Sequence, residues 1–300
     1  MIPRSVNSQF DGFRLDEVLM WTKSTIVFRA TDLQSGLTVA IKALRPGADS
    51  SAQRVLRFQR EVQAVSRLDH PSVARILSYS DQKKFYVVRE WMDGESLASV
   101  IARERLLPFD RAVWLAMEVC VALQSAHSQG VAHCNLTPAN ILVDRQDRIK
   151  IVNFENAAIA GDLRFFPPEK GPSVAPEVLR GEPGGTAGDI YSLGCILFEM
   201  LSGRPFGEWS RRYYLLGKRF GNRRGFTANL DPRSVELIMR TILKATDPNP
   251  IMRHHSMSDL ALDLTCRTHD GQAAATLVKP NGIVKMLFPW SGRPGNFGER

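Results

Sequence analysis

The chain has 300 residues, 44% of them hydrophobic and 23% charged, and its formal net charge at pH 7 is +8. These values describe a globular protein of one or two domains. No apolar run is long enough to span a bilayer, and residues 1–9 lack a signal-peptide pattern, so we predict a cytoplasmic protein. The four cysteines lie far apart, which argues against a zinc site or a disulfide framework.

The positive charge comes mainly from scattered arginines, with two clusters at residues 54–60 and 211–224. A basic surface can attract nucleic acid or an acidic protein. Because much of the charge is dispersed, we do not expect nucleic-acid binding. A basic face for an acidic protein partner is the favoured interpretation.

The first third of the chain predicts a strand-rich lobe that carries one helix. Its strand-like stretches are Phe13–Leu19, Ile26–Ala30, Leu37–Leu44 and Phe85–Met92. Between the third and fourth stretches, Val55, Phe58, Val62 and Val65 recur at helical spacing, which predicts a helix from about residue 51 to 68.

The remainder of the chain predicts mainly helices. Residues 110–127 are apolar nearly all round and follow Pro108, so we predict a buried helix with Asp110 as its cap. Two short strands follow at 141–143 and 148–152. A second buried helix runs from Asp189 to Leu201 and stops at Gly203. In the tail, residues 275–278 and 283–288 flank a turn of sequence KPNG and predict a hairpin.

Four short motifs occur in order along this pattern. Residues 39–42 read VAIK, residues 133–140 read HCNLTPAN, residues 153–155 read NFE and residues 175–177 read APE. Their spacing resembles the V-A-I-K, H-R-D-x-x-x-x-N, D-F-G and A-P-E motifs of protein kinases. The chain therefore resembles the protein kinase superfamily, and most closely the eukaryotic-like Ser/Thr kinases, over about residues 10–266.

The resemblance implies an α+β, two-lobed protein-kinase-like fold. A small β-rich N-lobe with one main helix would span residues 10–92, and a larger α-helical C-lobe would span residues 93–268. Residues 1–9 would form a flexible N-terminus, and residues 269–300 a separate tail.

The resemblance also assigns residues to a nucleotide site. Lys42 would pair with the α- and β-phosphates of ATP and with Glu61 of the N-lobe helix. The other residues expected around the nucleotide are Val27, Ala40, Glu90, Met92 and Leu142. Arg89 takes the gatekeeper position at the back of the adenine pocket. Since a buried guanidinium needs a partner, we predict that Arg89 pairs with Glu61 or Glu155 and fills space that a nucleotide would use.

A further set of residues matches the positions that hold the kinase scaffold together. These residues are His133, Phe154, Glu177, Asp189 and Arg253. Within this set, the resemblance implies a buried ion pair between Glu177 and Arg253, which would be costly to break.

Three departures from the family pattern concern the chemistry. Asn135 replaces the aspartate that accepts the hydroxyl proton, and Asn153 replaces the aspartate that holds magnesium, so no catalytic residue is intact at either position. An amide is not basic at neutral pH. Asn140 and Glu155 are the remaining candidate metal ligands. Alignment of the glycine-rich loop on Val27 places Met20, Thr22 and Thr25 where the family has glycines, so we expect weak ATP binding and impaired magnesium binding.

From these losses we predict a pseudokinase that acts as a scaffold or allosteric regulator with little phosphoryl transfer. One alternative is an active or weakly active Ser/Thr kinase, in which Glu155 replaces Asn153 as the metal carboxylate. A second alternative is a nucleotide sensor that needs no metal. A protein partner is expected at a basic, aromatic surface formed by Trp209, Arg211, Arg212, Tyr213 and Tyr214.

Overall fold

The computed structural model describes most of the chain. The described residues are 8–45, 52–81, 84–162, 164–168, 170–207, 232–265, 277–278 and 284–285. They form two lobes that meet at residues 91–93.

The N-terminal lobe is built on one antiparallel sheet with the strand order β1-β2-β3-β4-β6-β5. Its strands are β1 (Gln9–Phe10), β2 (Phe13–Trp21), β3 (Thr25–Asp32), β4 (Thr38–Leu44), β5 (Ile76–Asp81) and β6 (Phe85–Glu90). Because successive side chains of a strand point to opposite faces, Val39 and Ile41 of β4 enter the apolar core of the sheet, and Lys42 points the other way.

Helix α1 (Ala52–Val65) packs across the sheet face on which Lys42 lies. Phe58 of the helix is buried against Leu44 and Val87. Glu61, on the same buried side of the helix, is 1% exposed. The helical spacing of the apolar residues therefore fixes which charged side chain α1 brings to the sheet.

The C-terminal lobe is mainly helical and holds the largest apolar core among the described residues. Its helices are α2 (Leu97–Glu104), α3 (Phe109–Ser128), α4 (Pro176–Leu179), α5 (Gly185–Ser202), α6 (Pro232–Ala245) and α7 (Met257–Thr265). Helix α5 ends at Gly203, whose φ of 68° suits a residue without a side chain. Together with the sheet of the first lobe, these helices confirm the predicted α+β, two-lobed fold.

Short strands carry the loops between these helices. They are β7 (Gly94–Ser96), β8 (Val131–Ala132), β9 (Ile141–Asp144), β10 (Ile149–Ile151) and β11 (Ala158–Ile159). Strand β9 pairs with both β7 and β10, and β11 pairs with β8. In the tail, β12 (Leu277–Val278) pairs antiparallel with β13 (Val284–Lys285).

The start of α3 differs from the prediction. The residue that caps α3 is Pro108, without a side-chain hydrogen bond, and Asp110 lies inside the first turn, so the predicted Asp110 cap is wrong. At the N-terminus, Gln9 already pairs with Arg14 in the sheet. The proposed start of the lobe at residue 10 therefore falls inside β1.

Candidate active site

A lysine of β4 and a glutamate of α1 form a buried ion pair between sheet and helix. The distance from Lys42 Nζ to Glu61 Oε2 is 3.0 Å, and the two side chains are 9% and 1% exposed. Burial by itself would lower the pKa of Lys42, but Glu61 and Glu155 together raise this pKa above its ordinary value. The predicted contact between Lys42 and Glu61 is confirmed.

Arg89 of β6 shares the same glutamate. Its Nη2 donates to Glu61 Oε1, and its Nη1 donates to Asn153 Oδ1 at 3.3 Å. The predicted pairing of Arg89 is therefore confirmed, with Glu61 as the partner. These contacts compensate the burial of the guanidinium. The expectation that Arg89 fills nucleotide space stays a prediction.

Glu155 supplies the second carboxylate. Its Oε2 lies 2.8 Å from Lys42 Nζ, and Lys42 is the main cause of the lowered pKa of Glu155. Two cations and two carboxylates therefore balance one another at the junction of β4, α1, β6 and the segment after β10. We call Lys42, Glu61, Arg89 and Glu155 the charged cluster.

A neutral network adjoins the charged cluster. Asn153 has left-handed backbone angles, φ 66° and ψ 57°, which asparagine adopts more readily than most residues. Its Oδ1 accepts from Lys42 and Arg89, and its Nδ2 donates to Asn140 Oδ1 at 2.8 Å. Asn140 Nδ2 in turn donates to the backbone carbonyl of Asn135 at 2.8 Å. The structure thus joins the two substituted positions through Asn140.

Asn156 completes this network, and the sequence analysis missed it. Its Oδ1 accepts from Asn135 Nδ2 at 3.3 Å, and its side chain is almost fully buried. The only sequence signal was a polar residue directly after the NFE motif, which does not indicate a contact with residue 135. We call Asn153, Asn140, Asn135 and Asn156 the amide chain.

Asp189 of α5 fixes the backbone of the loop that carries Asn135. Its carboxylate accepts from the backbone N–H groups of His133 and Cys134, each at 2.8 Å, and from His127 Nε2. His133 is fully buried, and burial lowers its pKa. The neutral ring donates from Nε2 to the carbonyl of Val152 and accepts the Asn135 N–H at Nδ1.

The other predicted scaffold contacts lie around this loop. Phe154 is fully buried, and its ring centroid lies 4.5 Å from that of His133. Glu177 and Arg253 form a doubly hydrogen-bonded ion pair with both distances at 2.7 Å. Both residues are buried, so the predicted pair is confirmed and ties α4 to the segment before α7.

The residues predicted to bind adenine lie on β3, β4 and β9 and at the hinge where β6 ends. Cross-strand register places Val27 directly opposite Lys42, and Ala40 opposite Arg89. Both are half-buried, as is Leu142 on β9 in the other lobe. Glu90 and Met92 stand at the hinge, where the Glu90 carboxylate accepts from Lys150 Nζ and from the Arg75 N–H. Their roles toward a nucleotide stay predictions.

The hairpin between β2 and β3 closes on itself where kinases have a glycine-rich loop. The Thr22 N–H donates to the carbonyl of Thr25, and the Thr25 N–H donates to Thr22 Oγ1, both at 2.9 Å. The N–H of Ser24 also donates to Thr22 Oγ1. These backbone donors are therefore already bonded inside the turn.

The side-chain oxygen atoms of Glu155 and Asn140 fit magnesium only together with the phosphates of a nucleotide. Magnesium in phosphate-transfer sites is commonly held by one or two carboxylates, substrate phosphates and water. Here the Glu155 carboxylate contacts Lys42, and Asn140 Oδ1 accepts from Asn153. Among the described residues, no group of three His, Cys, Asp or Glu could hold a metal ion. One carboxylate and one amide oxygen would thus need phosphate oxygens to complete the coordination.

Contacts of unmodified side chains hold the segment from Asn153 to Glu177 in place. Ser173, its only hydroxyl residue, is buried and donates to the carbonyl of Leu136. Arg60 of α1 is 2.8 Å from Asp162, and its guanidinium lies over the ring of Phe166. These contacts link α1 to the segment without a phosphate.

The proposed partner surface at Trp209, Arg211, Arg212, Tyr213 and Tyr214 lies outside the described residues. Within the described part of the chain, no helix has the length and apolar character required to cross a membrane.

Curated relatives of this chain carry kinase names. It is 27% identical to the serine/threonine-protein kinase PknB of Mycobacterium leprae, in an alignment that covers 96% of this chain and 48% of the relative. It is 27% identical to PknB of Mycolicibacterium smegmatis, over 88% of this chain and 44% of that relative. It is 26% identical to a probable serine/threonine-protein kinase of Corynebacterium efficiens, over 88% of this chain and 43% of that relative. The chain thus spans less than half the length of these relatives.

These findings correct the functional prediction. A scaffold with little phosphoryl transfer was predicted from Asn135 and Asn153, but the relatives are named as kinases and Lys42 is paired with Glu61 as in a kinase site. The main prediction is therefore wrong, and its first alternative, a working or weak Ser/Thr kinase, is favoured. The error came from giving two substitutions more weight than the retained lysine and glutamate.

The family itself is established by a match that covers more than half of the chain. Residues 22–218 match the protein kinase domain, from the turn after β2 to beyond α5. The matched range contains the charged cluster, the amide chain and the Asp189 anchor. This chain therefore belongs to the protein kinase domain family.

Proposed function

We propose that this chain is a slow, ATP-dependent serine/threonine protein kinase. The observation that carries the proposal is the buried contact of Lys42 with Glu61 at 3.0 Å. In protein kinases this pair must be in place for the transfer reaction. Arg89, bound to the same carboxylate, adds a second cation that keeps Glu61 in position.

The reaction is the transfer of the γ-phosphoryl group of ATP to a serine or threonine hydroxyl. The bond between the γ-phosphorus and its bridging oxygen breaks, a new bond forms to the hydroxyl oxygen, and the hydroxyl proton passes to solvent. The transition state of such transfers is loose in most analyses, so catalysis rests mainly on positioning and electrostatics. Loss of a base is therefore expected to slow the reaction without abolishing it.

Each residue of the site has a part in this scheme. Lys42 would move from Glu155 toward the phosphates, while Arg89 continues to neutralise Glu61. Asn135 would accept a hydrogen bond from the substrate hydroxyl, which orients it but cannot remove its proton. A positioned base contributes about two to four powers of ten in rate, which sets the scale of the expected deficit.

ATP and magnesium are the cofactors that membership of the family implies. Glu155 and Asn140 would hold the magnesium ion, which supplies neutralisation of phosphate charge when bound. We expect ATP affinity to be low, because the backbone donors of the Thr22–Thr25 turn are already bonded to one another.

The first test is incorporation of labelled γ-phosphate into a peptide that contains serine and threonine. The wild-type chain is expected to label the peptide with magnesium present, and Lys42→Ala is expected to lose this labelling. Lys244→Ala is the matched control, because Lys244 lies half-exposed on α6, outside the cleft. Absence of labelling in the wild type, or equal labelling by Lys42→Ala, contradicts the proposal.

A second measurement separates nucleotide binding from transfer. A ligand that binds only the folded state raises the melting temperature by mass action. We expect ATP with magnesium to raise it in the wild type and not in Lys42→Ala. If ATP raises the melting temperature but the peptide is not labelled, the chain binds a nucleotide and the proposed kinase reaction is rejected.

We infer a cytoplasmic chain whose protein partner or substrate meets the surface at Trp209, Arg211, Arg212, Tyr213 and Tyr214, and which does not bind nucleic acid. The net charge of +8 supports an acidic protein on this surface. Alanine at Arg211 and Arg212 would then lower the labelling of an acidic protein substrate more than that of a short neutral peptide.

A further inference from the structure

Asn156 is buried between two groups of opposite hydrogen-bonding character. Its side-chain Nδ2 donates to the backbone carbonyls of Phe166 at 2.8 Å and Pro167 at 3.2 Å. Its Oδ1 accepts from Asn135 Nδ2 at 3.3 Å. With only 3% of the residue exposed, water has little access to replace these partners.

The two carbonyls determine which way the Asn156 amide is turned. A carbonyl oxygen only accepts hydrogen bonds, so the group that faces Phe166 and Pro167 must be Nδ2. The opposite orientation would set oxygen against oxygen and leave a buried acceptor unsatisfied, at a free-energy cost. The oxygen of Asn156 is therefore the atom that faces Asn135.

The orientation of Asn156 in turn decides that of Asn135. Only a donor can face the Asn156 oxygen, so Asn135 turns its Nδ2 toward it. The Asn135 oxygen then points away from Asn156, and among the described residues no donor is bonded to it. Asn135 is half-buried, which leaves this oxygen as the atom available to a substrate hydroxyl.

We propose that Asn156 is a positioning residue that selects the acceptor orientation of the Asn135 amide. This inference rests on the proposed kinase function. A hydroxyl that donates to the Asn135 oxygen keeps its lone pairs free to attack phosphorus. If the amide were turned over, its NH₂ group would bind one of those lone pairs and weaken the nucleophile. The amide thus imitates the acceptor geometry of a carboxylate only while Asn156 holds it.

The test compares two substitutions that differ in the retained acceptor. Asn156→Leu removes both the donor to the Phe166 and Pro167 carbonyls and the acceptor for Asn135. Asn156→Asp keeps an acceptor oxygen for Asn135, and we expect its second oxygen to be protonated in this buried position and to donate to the carbonyls. We expect Asn156→Leu to lower kcat for peptide phosphorylation about five- to tenfold, the effect of one hydrogen bond, with little change in KM for ATP. Asn156→Asp is expected to keep kcat several-fold above that of Asn156→Leu. Equal kcat in the two variants overturns the proposal.

A second background separates positioning from a general structural effect. In the Asn135→Asp protein, both side-chain oxygens are acceptors, so no orientation has to be selected. Asn156→Leu is therefore expected not to lower kcat in that background. The same proportional loss in both backgrounds would show that Asn156 only supports the fold, and would overturn the inference.

A readout without activity separates this inference from the proposed function. In the full chain labelled with ¹⁵N-asparagine, the side-chain signal of Asn135 is identified by its loss in Asn135→Asp. In the wild type, we expect one of the two side-chain NH protons of Asn135 to exchange slowly with solvent. In Asn156→Leu, we expect the signal of this proton to move upfield, toward the position of an exposed amide, and in Asn156→Asp we expect no such move. If both Asn135 side-chain NH protons of the wild type have the chemical shifts and fast exchange of a solvent-exposed amide, the inference is overturned. A protected signal without peptide labelling supports the contact and rejects only the kinase reaction.

Discussion

The charged cluster and the amide chain meet at Asn153 but are held together by different physics. In the cluster, Lys42 and Arg89 are balanced by Glu61 and Glu155, and each charge is needed by the others. In the amide chain, no member carries a charge, and the order of donors and acceptors sets the geometry. The first arrangement depends on charge balance, and the second depends on direction.

This difference separates what the site kept from what it changed. The cluster preserves the lysine and glutamate of a kinase site and adds a carboxylate and a guanidinium in balance. The amide chain replaces two carboxylates of the family with groups that hydrogen-bond to one another. We expect substitutions in the amide chain to change mainly the rate of phosphoryl transfer. Substitutions in the charged cluster should change both the free energy of unfolding and nucleotide binding.

The largest effect is expected from restoring a base in the amide chain. Asn135→Asp should raise the rate of peptide phosphorylation about 100- to 10,000-fold, because a carboxylate can accept the hydroxyl proton. The measurement is the initial rate with labelled ATP at saturating peptide. Asn249→Asp is the control, since Asn249 accepts a backbone N–H through its oxygen away from the site, and aspartate can do the same. An unchanged rate in Asn135→Asp would mean that proton acceptance does not limit the reaction.

The next effect is expected from breaking the charged cluster. Glu61→Gln leaves two buried cations with Glu155 alone, so the free energy of unfolding should fall by about 3–5 kcal/mol. Urea unfolding measures this loss. Glu236→Gln on α6 removes an exposed ion pair with Arg240 and should cost at most about 1 kcal/mol. If the two variants lose equal stability, the cluster does not act as a mutually dependent unit.

The smallest effect is a contrast in pH dependence. The folded-state pKa of Glu155 lies below its ordinary value of 4.5, chiefly because of Lys42, so its stabilising effect is complete above pH 4.5 and is lost as the pH falls through the lowered pKa. The stability difference between the wild type and Glu155→Gln should therefore be constant from pH 6 to 8 and shrink below about pH 4.5. The difference for Asn156→Leu should not shrink there, because the amide does not titrate. If the stability differences of Glu155→Gln and Asn156→Leu from the wild type change with pH in the same way, the distinction between the charged cluster and the amide chain is contradicted.

Short-range patterns in the sequence predicted the elements and the local motifs well. Helical spacing at Val55, Phe58 and Val62 indicated α1, and Gly203 marked the end of α5. The ordered motifs indicated the pairing of Lys42 with Glu61 and of Glu177 with Arg253, because the fold brings these positions together in any chain that adopts it. The boundary at Pro108 was missed by two residues, since proline at the start of a helix competes with an aspartate cap.

The amide chain could not be predicted, because it depends on contacts between distant backbone segments. The partners of Asn156 are a side chain 21 residues earlier and carbonyls 10 and 11 residues later, and no periodicity links such positions. The self-bonded Thr22–Thr25 turn likewise follows from the path of the hairpin. By itself, the sequence determined the fold, the charges available to the site and the residues at the substituted positions. The tertiary structure decided which atoms those residues present to one another, because hydrogen bonds are directional and their partners are set only when the chain is folded.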